Sequence, residues 1–132
     1  MIKRYEVKEI VDIWSQENKL STWKKVESSV TKSLEEEGIV PKGLSEKILD
    51  ANVTVKEVEA REKVTNHDLA SFVDILQDKV NEDSEWIHYG LTSSDVVDTS
   101  NSLLILESLD FLIGKVDELI STLKNLAIKE KD

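Results

Sequence analysis

The sequence predicts an all-α protein, and three observations lead to this class. The 132 residues include one proline and four glycines, so few positions interrupt regular structure. Apolar residues recur at steps of three and four in several segments, which is the period of a helix. One such segment runs unbroken from Ile105 to Leu126, far beyond the usual length of a strand.

The first predicted helix begins near Leu20 and ends before Gly38. Its apolar face is formed by Leu20, Trp23, Val26, Val30 and Leu34. Gly38 is the expected C-cap, because glycine tolerates the left-handed conformation that ends many helices. Residues 39–43 (IVPKG) are predicted to be a connector, and Ser45, Ile48 and Leu49 indicate a short helix after it.

Two further helices are predicted on either side of a polar junction. Thr54 and Glu57 have the spacing of a capping box, which starts a helix that continues to about Val64. Residues 65–68 (TNHD) interrupt the pattern, and we expect Thr65 or Asn66 to cap the helix that follows. Its apolar face is formed by Leu69, Phe72, Val73, Leu76 and Val80, and residues 81–84 are predicted to be a loop.

The longest element follows Gly90. Thr92 and Asp95 have capping-box spacing, and the helix is predicted to span residues 93–129, about 55 Å at about 1.5 Å per residue. Two rows of apolar side chains follow it: Ile105, Leu109, Leu112, Val116, Leu119, Leu123 and Leu126, and Leu106, Ile113, Ile120 and Ala127. Such a wide stripe is typical of a helix inside a bundle.

This helix is longer than the rest of the chain could cover. Leaving many apolar side chains in water is unfavourable, so the stripe needs other helices to pack against. We therefore expect the chain either to self-associate or to be cut from a larger protein. The end, KEKD, has no glycine or proline stop and is what a boundary inside a helix would look like.

Composition narrows the possible functions. The formal net charge of -10 disfavours binding to nucleic acid, although a compact site for a small anion remains compatible with it. There is no cysteine for disulfides or zinc–thiolate sites. No run approaches the roughly 20 apolar residues of a membrane span, and the start MIKRYE lacks the apolar core of a signal peptide, so we expect no membrane partner and a cytoplasmic location.

The candidate functional residues lie in the polar junctions. His67 and His88 are the only histidines, and without a clustered third ligand they do not predict a metal site. Each could also be an ordinary surface or capping histidine. Thr92 and Ser93 follow a glycine that permits close backbone approach, and spare hydroxyls at a helix N-terminus form a ready anion site, although a plain helix cap explains them too. Arg4 and Tyr5 could anchor a phosphate.

In this order, the segments RY at residues 4–5, IVPKG, TNHDL and HYGLTSSDVVDT at residues 88–99 closely resemble the N-terminal part of the adenylosuccinate lyase family. The resemblance covers essentially the whole chain, and HYGLTSSDVVDT is its most discriminating segment. It implies the fold of the fumarase and aspartase superfamily, all-helical homotetramers with a common central bundle. Residues 1–91 would then be the N-terminal helical domain, and residues 92–132 the truncated first long helix of the bundle.

The resemblance also implies a reaction. Family members eliminate fumarate from adenylosuccinate, giving AMP, and from the succinylated carboxamide ribotide SAICAR, giving AICAR, in purine synthesis, and they need no cofactor. Carried over, Thr92 and Ser93 receive the succinyl carboxylate. Arg4 and Tyr5 hold the substrate 5′-phosphate.

The remaining site residues come from the two histidine segments. Asn66, His67 and Asp68 match a substrate-binding segment, in which the histidine orients the substrate or acts as an auxiliary acid. His88 matches a second active-site histidine. Asn66 stands where many family members have arginine, which weakens the case for its direct contact with substrate.

The resemblance implies that the chain alone is inactive. The family's principal acid, in a T-x-G-R-T-H-like segment, and its base, in an S-S-x-M-P-x-K-x-N loop, are not found in these residues. Two alternatives remain open: a carboxymuconate cycloisomerase-like member of the superfamily, and a non-catalytic helical oligomerisation module whose polar junctions are only caps.

Overall fold

The protein is all-α, as predicted, in a computed structural model that describes residues 3–131. Residues 1, 2 and 132, at the limits of the two predicted domains, lie outside the described residues. The helices are α1 (Lys8–Ile13), α2 (Gln16–Glu36), α3 (Leu44–Asp50), α4 (Val55–Thr65), α5 (Asp68–Val80) and α6 (Ser93–Lys129). Short 3-10 turns cover Lys3–Tyr5 and Ser84–Trp86, and no strand occurs within the described range.

Local chemistry accounts for both ends of α2. The helix begins one turn before the predicted start, because Ser15 Oγ accepts a hydrogen bond from the N–H of Asn18 at 3.2 Å. At its end, the N–H of Ile39 donates to the carbonyl of Leu34 and that of Gly38 to Glu35, the two bonds of a Schellman motif. Gly38 has a φ of 70°, so the prediction that it ends the helix is confirmed.

The short helix predicted around Ser45 is confirmed as α3, and the capping box of Thr54 and Glu57 opens α4. One helix near the start was not predicted. This is α1, a six-residue helix that lies against α6, where Trp14 Nε1 donates to Ser108 Oγ at 2.9 Å.

The hydrophobic core lies where α2, α3, α4 and α5 meet the first turns of α6. Trp23 of α2 and Phe72 of α5 are fully buried and pack edge to face, with ring centroids 5.5 Å apart. The other buried members include Leu44, Ile48, Val58, Leu69, Leu76, Ile87 and Val96. This core fixes the junctions between the helices, where the candidate site residues lie.

Helix α6 has the predicted limits and leaves the core after its first three turns. Val96, Ser100 and Leu104 are buried, whereas the positions from Leu112 to Lys131 are all exposed. The apolar side chains from Leu112 onward are therefore left largely uncovered by the described chain. No helix of the part that the structure describes is both long and apolar enough to span a membrane.

Candidate functional site

At the junction between α4 and α5, hydrogen bonds from neighbouring residues hold the backbone of His67 in place. The carbonyl of His67 accepts hydrogen bonds from the N–H of Ser71 at 3.0 Å and from Ser71 Oγ at 2.7 Å. Thr65 Oγ1 accepts from the N–H of His67 at 3.2 Å and lies 2.6 Å from Ser71 Oγ. The backbone of His67 is thus held by neighbours on both sides.

The His67 ring caps α5 and so defines which ring nitrogen is left for other contacts. Its Nδ1 accepts from the N–H of Ala70 at 3.3 Å, so in the neutral ring the proton lies on Nε2. The expectation that Thr65 or Asn66 would be the cap is wrong, because Thr65 is engaged by Ser71 and by the His67 backbone, and Asn66 ends α4 instead.

The start of α6 meets His67. Ser93 Oγ lies 3.5 Å from His67 Nε2, at the outer limit of a hydrogen bond. This contact joins two segments, 26 residues apart, that the sequence had singled out separately. Both side chains are partly accessible to solvent, so together they form a polar corner at the surface.

The loop before α6 has a defined shape. Ile87 is buried in the core, and the N–H of Leu91 donates to the carbonyl of His88 at 3.3 Å to close a turn. Gly90 lies in this turn with a φ of 75°. A Cβ at Gly90 would meet no atom within 4 Å. The glycine is therefore explained by the positive φ that the turn requires, and not by a lack of space for a side chain.

The predicted capping box at the start of α6 is present. The carboxylate of Asp95 accepts from the N–H of Thr92 at 2.8 Å, and Thr92 is the N-cap. The prediction that this segment caps α6 is thus confirmed. If the segment also binds an anion, it does so in addition to its role as a cap. The first-turn N–H groups of a helix have no partners inside the helix, which leaves such a role open.

Asp68 and Asn66 each have a structural role at the junction between α4 and α5. Asp68 Oδ1 accepts from the N–H of Leu69 at 2.7 Å, and Oδ2 accepts from Lys19 Nζ at 3.2 Å. Partial burial opposes ionisation of Asp68, but these two bonds outweigh it and hold the pKa of Asp68 below its ordinary value. Asn66 is exposed and ends α4 in the left-handed conformation, with a φ of 51°.

Arg4 and Tyr5 contact each other at the 3-10 turn Lys3–Tyr5. The Arg4 guanidinium stacks over the Tyr5 ring at 4.9 Å from its centroid, and Tyr5 is 67% exposed. Among the described hydrogen bonds and ion pairs, none joins either residue to His67, His88 or Ser93. The structure therefore describes Arg4 and Tyr5 as an exposed cation–π pair.

One residue of this site, Glu27 of α2, was not predicted from the sequence. Glu27 is 1% exposed, and its Oε1 lies 2.6 Å from His88 Nδ1. Burial, the largest influence, raises the pKa of the Glu27 carboxyl, against the opposing effect of His88. The available signal was position: Glu27 comes four residues after Trp23, on the face that α2 buries.

The described residues contain no group of three or more histidine, aspartate or glutamate side chains placed to hold a metal ion. The groups that the corner offers to a ligand are hydroxyls, an imidazole and backbone N–H groups.

Comparison with known proteins identifies relatives along the whole chain. The sequence profile of the family described as "Lyase" matches residues 3–132. The chain is 39% identical to the adenylosuccinate lyase of Aquifex aeolicus over its whole length, and 39% identical to that of Thermotoga maritima over 99% of it. It is 33% identical to that of Bacillus subtilis. The chain spans 31% of the length of each of these three relatives.

The fold also matches a solved structure. The crystal structure of a fumarate lyase from Mesorhizobium sp. BNC1 superimposes with a TM-score of 0.87 at 17% identity, over 95% of this chain and 30% of that one. At this identity the match concerns the fold alone.

Proposed function

The chain belongs to the lyase family, and from this premise we propose that it supplies part of the active site of an adenylosuccinate lyase. That enzyme eliminates fumarate from adenylosuccinate to give AMP, and from SAICAR to give AICAR. Support comes from curated relatives named adenylosuccinate lyase at 33–39% identity along the whole chain. We also propose that residues 1–91 form the N-terminal helical domain and residues 92–132 the start of the bundle domain. The proposed location of the protein is the cytoplasm.

One structural observation carries the proposal: Ser93 Oγ, at the start of HYGLTSSDVVDT, lies 3.5 Å from His67 Nε2 of the TNHD junction. Two of the segments on which the family resemblance depends therefore meet in space. A helix cap alone does not require a histidine from another junction to lie beside it.

The proposed corner binds the succinyl part of the substrate. A carboxylate at the N-terminus of α6 would accept hydrogen bonds from the Thr92 and Ser93 hydroxyls and from free N–H groups of the first turn. The positive end of the helix dipole favours the same anion. This local field can outweigh the overall charge of -10, because long-range charge is screened by salt.

His67 would orient the substrate or serve as an auxiliary acid. Since Nδ1 is committed to the N–H of Ala70, Nε2 is the ring atom that can reach a ligand, and in the neutral ring it carries a proton to donate. Its fixed backbone keeps that atom beside Ser93.

Arg4 and Tyr5 would hold the 5′-phosphate, because a guanidinium and a phenol are suitable donors to phosphate oxygens. Asn66, Asp68 and His88 complete the proposed binding set. Of these, Asp68 must bind substrate in competition with Lys19.

Fumarate elimination needs a base to remove a proton from the carbon beside a carboxylate and an acid to protonate the departing nitrogen. In the resemblance, both groups belong to segments that these 132 residues do not contain, and other subunits of a homotetramer complete the site. We therefore expect the chain alone to bind weakly and not to turn over substrate.

The test uses the ultraviolet absorbance change of adenylosuccinate. The 132-residue chain should show no turnover. In the polypeptide encoded by the complete reading frame, His67→Ala and Ser93→Ala should each lower kcat/KM by roughly tenfold or more. His67→Ala also removes the cap of α5, at a cost of about 1 kcal/mol in the free energy of unfolding, whereas Ser93→Ala should leave the melting temperature nearly unchanged. Ser102→Ala, at an exposed hydroxyl further along α6, is the matched control and should leave turnover unchanged. Wild-type-like turnover in both test variants would refute the proposal.

The exposed apolar residues of α6 also support the second candidate, a non-catalytic oligomerisation module. For that module, His67→Ala should only weaken the cap of α5, at a cost of about 1 kcal/mol in the free energy of unfolding, and no substrate should be consumed. A cycloisomerase-like enzyme would instead act on a substrate without phosphate, so that Arg4→Ala would have no effect on its turnover.

A further inference from the structure

A fully buried glutamate with a single partner is an unusual feature of this fold. Glu27 is 1% exposed, and acidic residues are rarely buried to this extent unless they are paired. Its Oε1 is paired with His88 Nδ1 at 2.6 Å, whereas Oε2 has no hydrogen-bond partner in the described part of the chain. The interactions of this carboxylate are therefore directed at one histidine.

The partner is also held in an unfavourable conformation. His88 has a φ of 66°, in the left-handed region that residues other than glycine rarely adopt. The buried Ile87 before it and the turn closed by Leu91 after it hold the backbone in place. Backbone strain of this kind persists only where the surroundings impose it, and it concentrates at functional sites.

These two features meet at one hydrogen bond, and His88 lies five residues before Ser93, the first residue of α6. We propose that Glu27 is a positioning residue, which holds the His88 ring with its proton on Nδ1 so that Nε2 is the nitrogen presented to a ligand at the start of α6. A carboxylate on one ring nitrogen commonly sets the tautomer of a histidine in this way. The identity of that ligand as adenylosuccinate rests on the proposed function.

The solvent exposure of His88 agrees with an Nε2 that is open to a ligand. The His88 side chain is 22% exposed, although its Nδ1 faces a carboxylate with almost no exposure. Since Nδ1 is bound in the interior, Nε2 is the only ring nitrogen left for another partner. A purely structural link between α2 and the loop would have no need for a defined tautomer, and this difference can be tested.

The first experiment records the ¹⁵N chemical shifts of the histidine ring nitrogens in the 132-residue chain, in a buffer near pH 8. In the wild type, His88 should show a protonated Nδ1 and an unprotonated Nε2. Glu27→Gln keeps the shape of the side chain but replaces a carboxylate that only accepts with an amide that can also donate to Nδ1, so the population with the proton on Nε2 should rise. A wild-type His88 with its proton on Nε2 would overturn the proposal without reference to any variant.

Two internal controls accompany this measurement. The signals of His67, the second histidine, should not change with Glu27→Gln, because His67 makes its contacts with Ala70 and Ser93. Glu35→Gln alters another glutamate of α2, whose carboxylate accepts from the N–H of Ser45 at 2.6 Å. It should leave the His88 tautomer as it is. A His88 spectrum that responds equally to both glutamate variants would mean that general loosening of α2 is the cause.

The second experiment measures turnover in the complete polypeptide. Glu27→Gln should lower kcat/KM at least tenfold, and the double variant with His88→Ala should be no worse than His88→Ala alone, because Glu27 acts through His88. If the losses of kcat/KM in the two single variants add up in the double variant, Glu27 does not act through His88. If the wild type consumes no adenylosuccinate, the proposed function fails, while the tautomer result still decides whether Glu27 positions His88.

Discussion

At the scale of single residues, Asn66 shows how one position can have two explanations. It ends α4 with a φ of 51°, a conformation that asparagine tolerates better than most residues. The family resemblance instead places it in a substrate-binding segment. The backbone requirement already accounts for a small polar residue there, so the two roles must be separated by experiment.

Asn66→Ala should lower the free energy of unfolding by about 1 kcal/mol, whereas Asn66→Gly should not, because glycine adopts the left-handed conformation without steric cost. Urea denaturation followed by tryptophan fluorescence measures both. Equal stability of the two variants would show that the conformation is not what selects this residue. A loss of turnover in the stable Asn66→Gly variant would assign Asn66 to the substrate.

Single residues also mark the limit of inference from sequence. His67 and Ser93 could be chosen because they lie in polar runs at helix boundaries, which local chemistry reveals. Glu27 shows only half of its role in the sequence: its position on the buried face of α2 follows from the helical spacing, but its partner His88 lies 61 positions away. The cap of α5 was assigned to the wrong residue for a related reason: Thr65, the better capping type, is engaged by Ser71.

At the scale of helices, several boundaries with local chemical signals were predicted, although the start of α2 at the Ser15 cap was predicted one turn too late. The helix that depends on docking, α1, was not predicted. The Schellman motif at Gly38 and the capping boxes at Thr54 and Thr92 each use residues within five positions. Helix α1 has only six residues, too few to be stable alone, and it is fixed by packing on α6 through Trp14 and Ser108. Nothing within its own sequence reveals that contact.

The link between α4 and α5 predicts a pH dependence. Glu57 accepts from Thr54 Oγ1 at 2.6 Å and from Lys79 Nζ of α5 at 2.5 Å, and Lys79 together with the Thr54 bonds lowers the pKa of Glu57 from 4.5 to about 2. A lowered pKa stabilises the folded state above the unfolded value, and this stabilisation is lost as the pH falls from 4.5 toward 2.

Glu57→Gln should therefore lower the melting temperature near neutral pH, and the difference from wild type should shrink as the pH falls through that window. Glu59→Gln, at an exposed position of the same helix, is the control and should show a smaller difference. Circular dichroism melts at several pH values measure both. A difference that stays constant down to pH 2 would show that the hydrogen-bonded ion pair is not its source.

At the scale of the whole molecule, the first turns of α6 belong to the packed core, and most of the remainder of this helix is exposed. The α6 stripe comprises Ile105, Leu106, Leu109, Leu112, Ile113, Val116, Leu119, Ile120, Leu123 and Leu126, each 46% to 58% exposed. An apolar surface of this length is typical of an interface between helices. The sequence revealed this stripe through its spacing, but spacing alone does not identify the partner.

We expect the chain to self-associate through the α6 stripe. Leu112→Glu combined with Leu119→Glu should shift its sedimentation toward that of a monomer, because buried charges without partners oppose helix packing. Ser121→Glu adds charge at an exposed polar position and should leave association intact. Sedimentation velocity over a range of concentrations measures the effect, and a wild type that stays monomeric at every concentration would contradict it.

The continuity of α6 has a further consequence. The same 37-residue helix begins at the polar corner and carries the stripe, so a ligand at one end and association along the other both restrain one continuous helix. Binding free energies coupled in this way are reciprocal: to the extent that association strengthens ligand binding, the ligand must strengthen association equally. Dilution would then lower ligand affinity, and a saturating ligand would protect the assembly against dissociation.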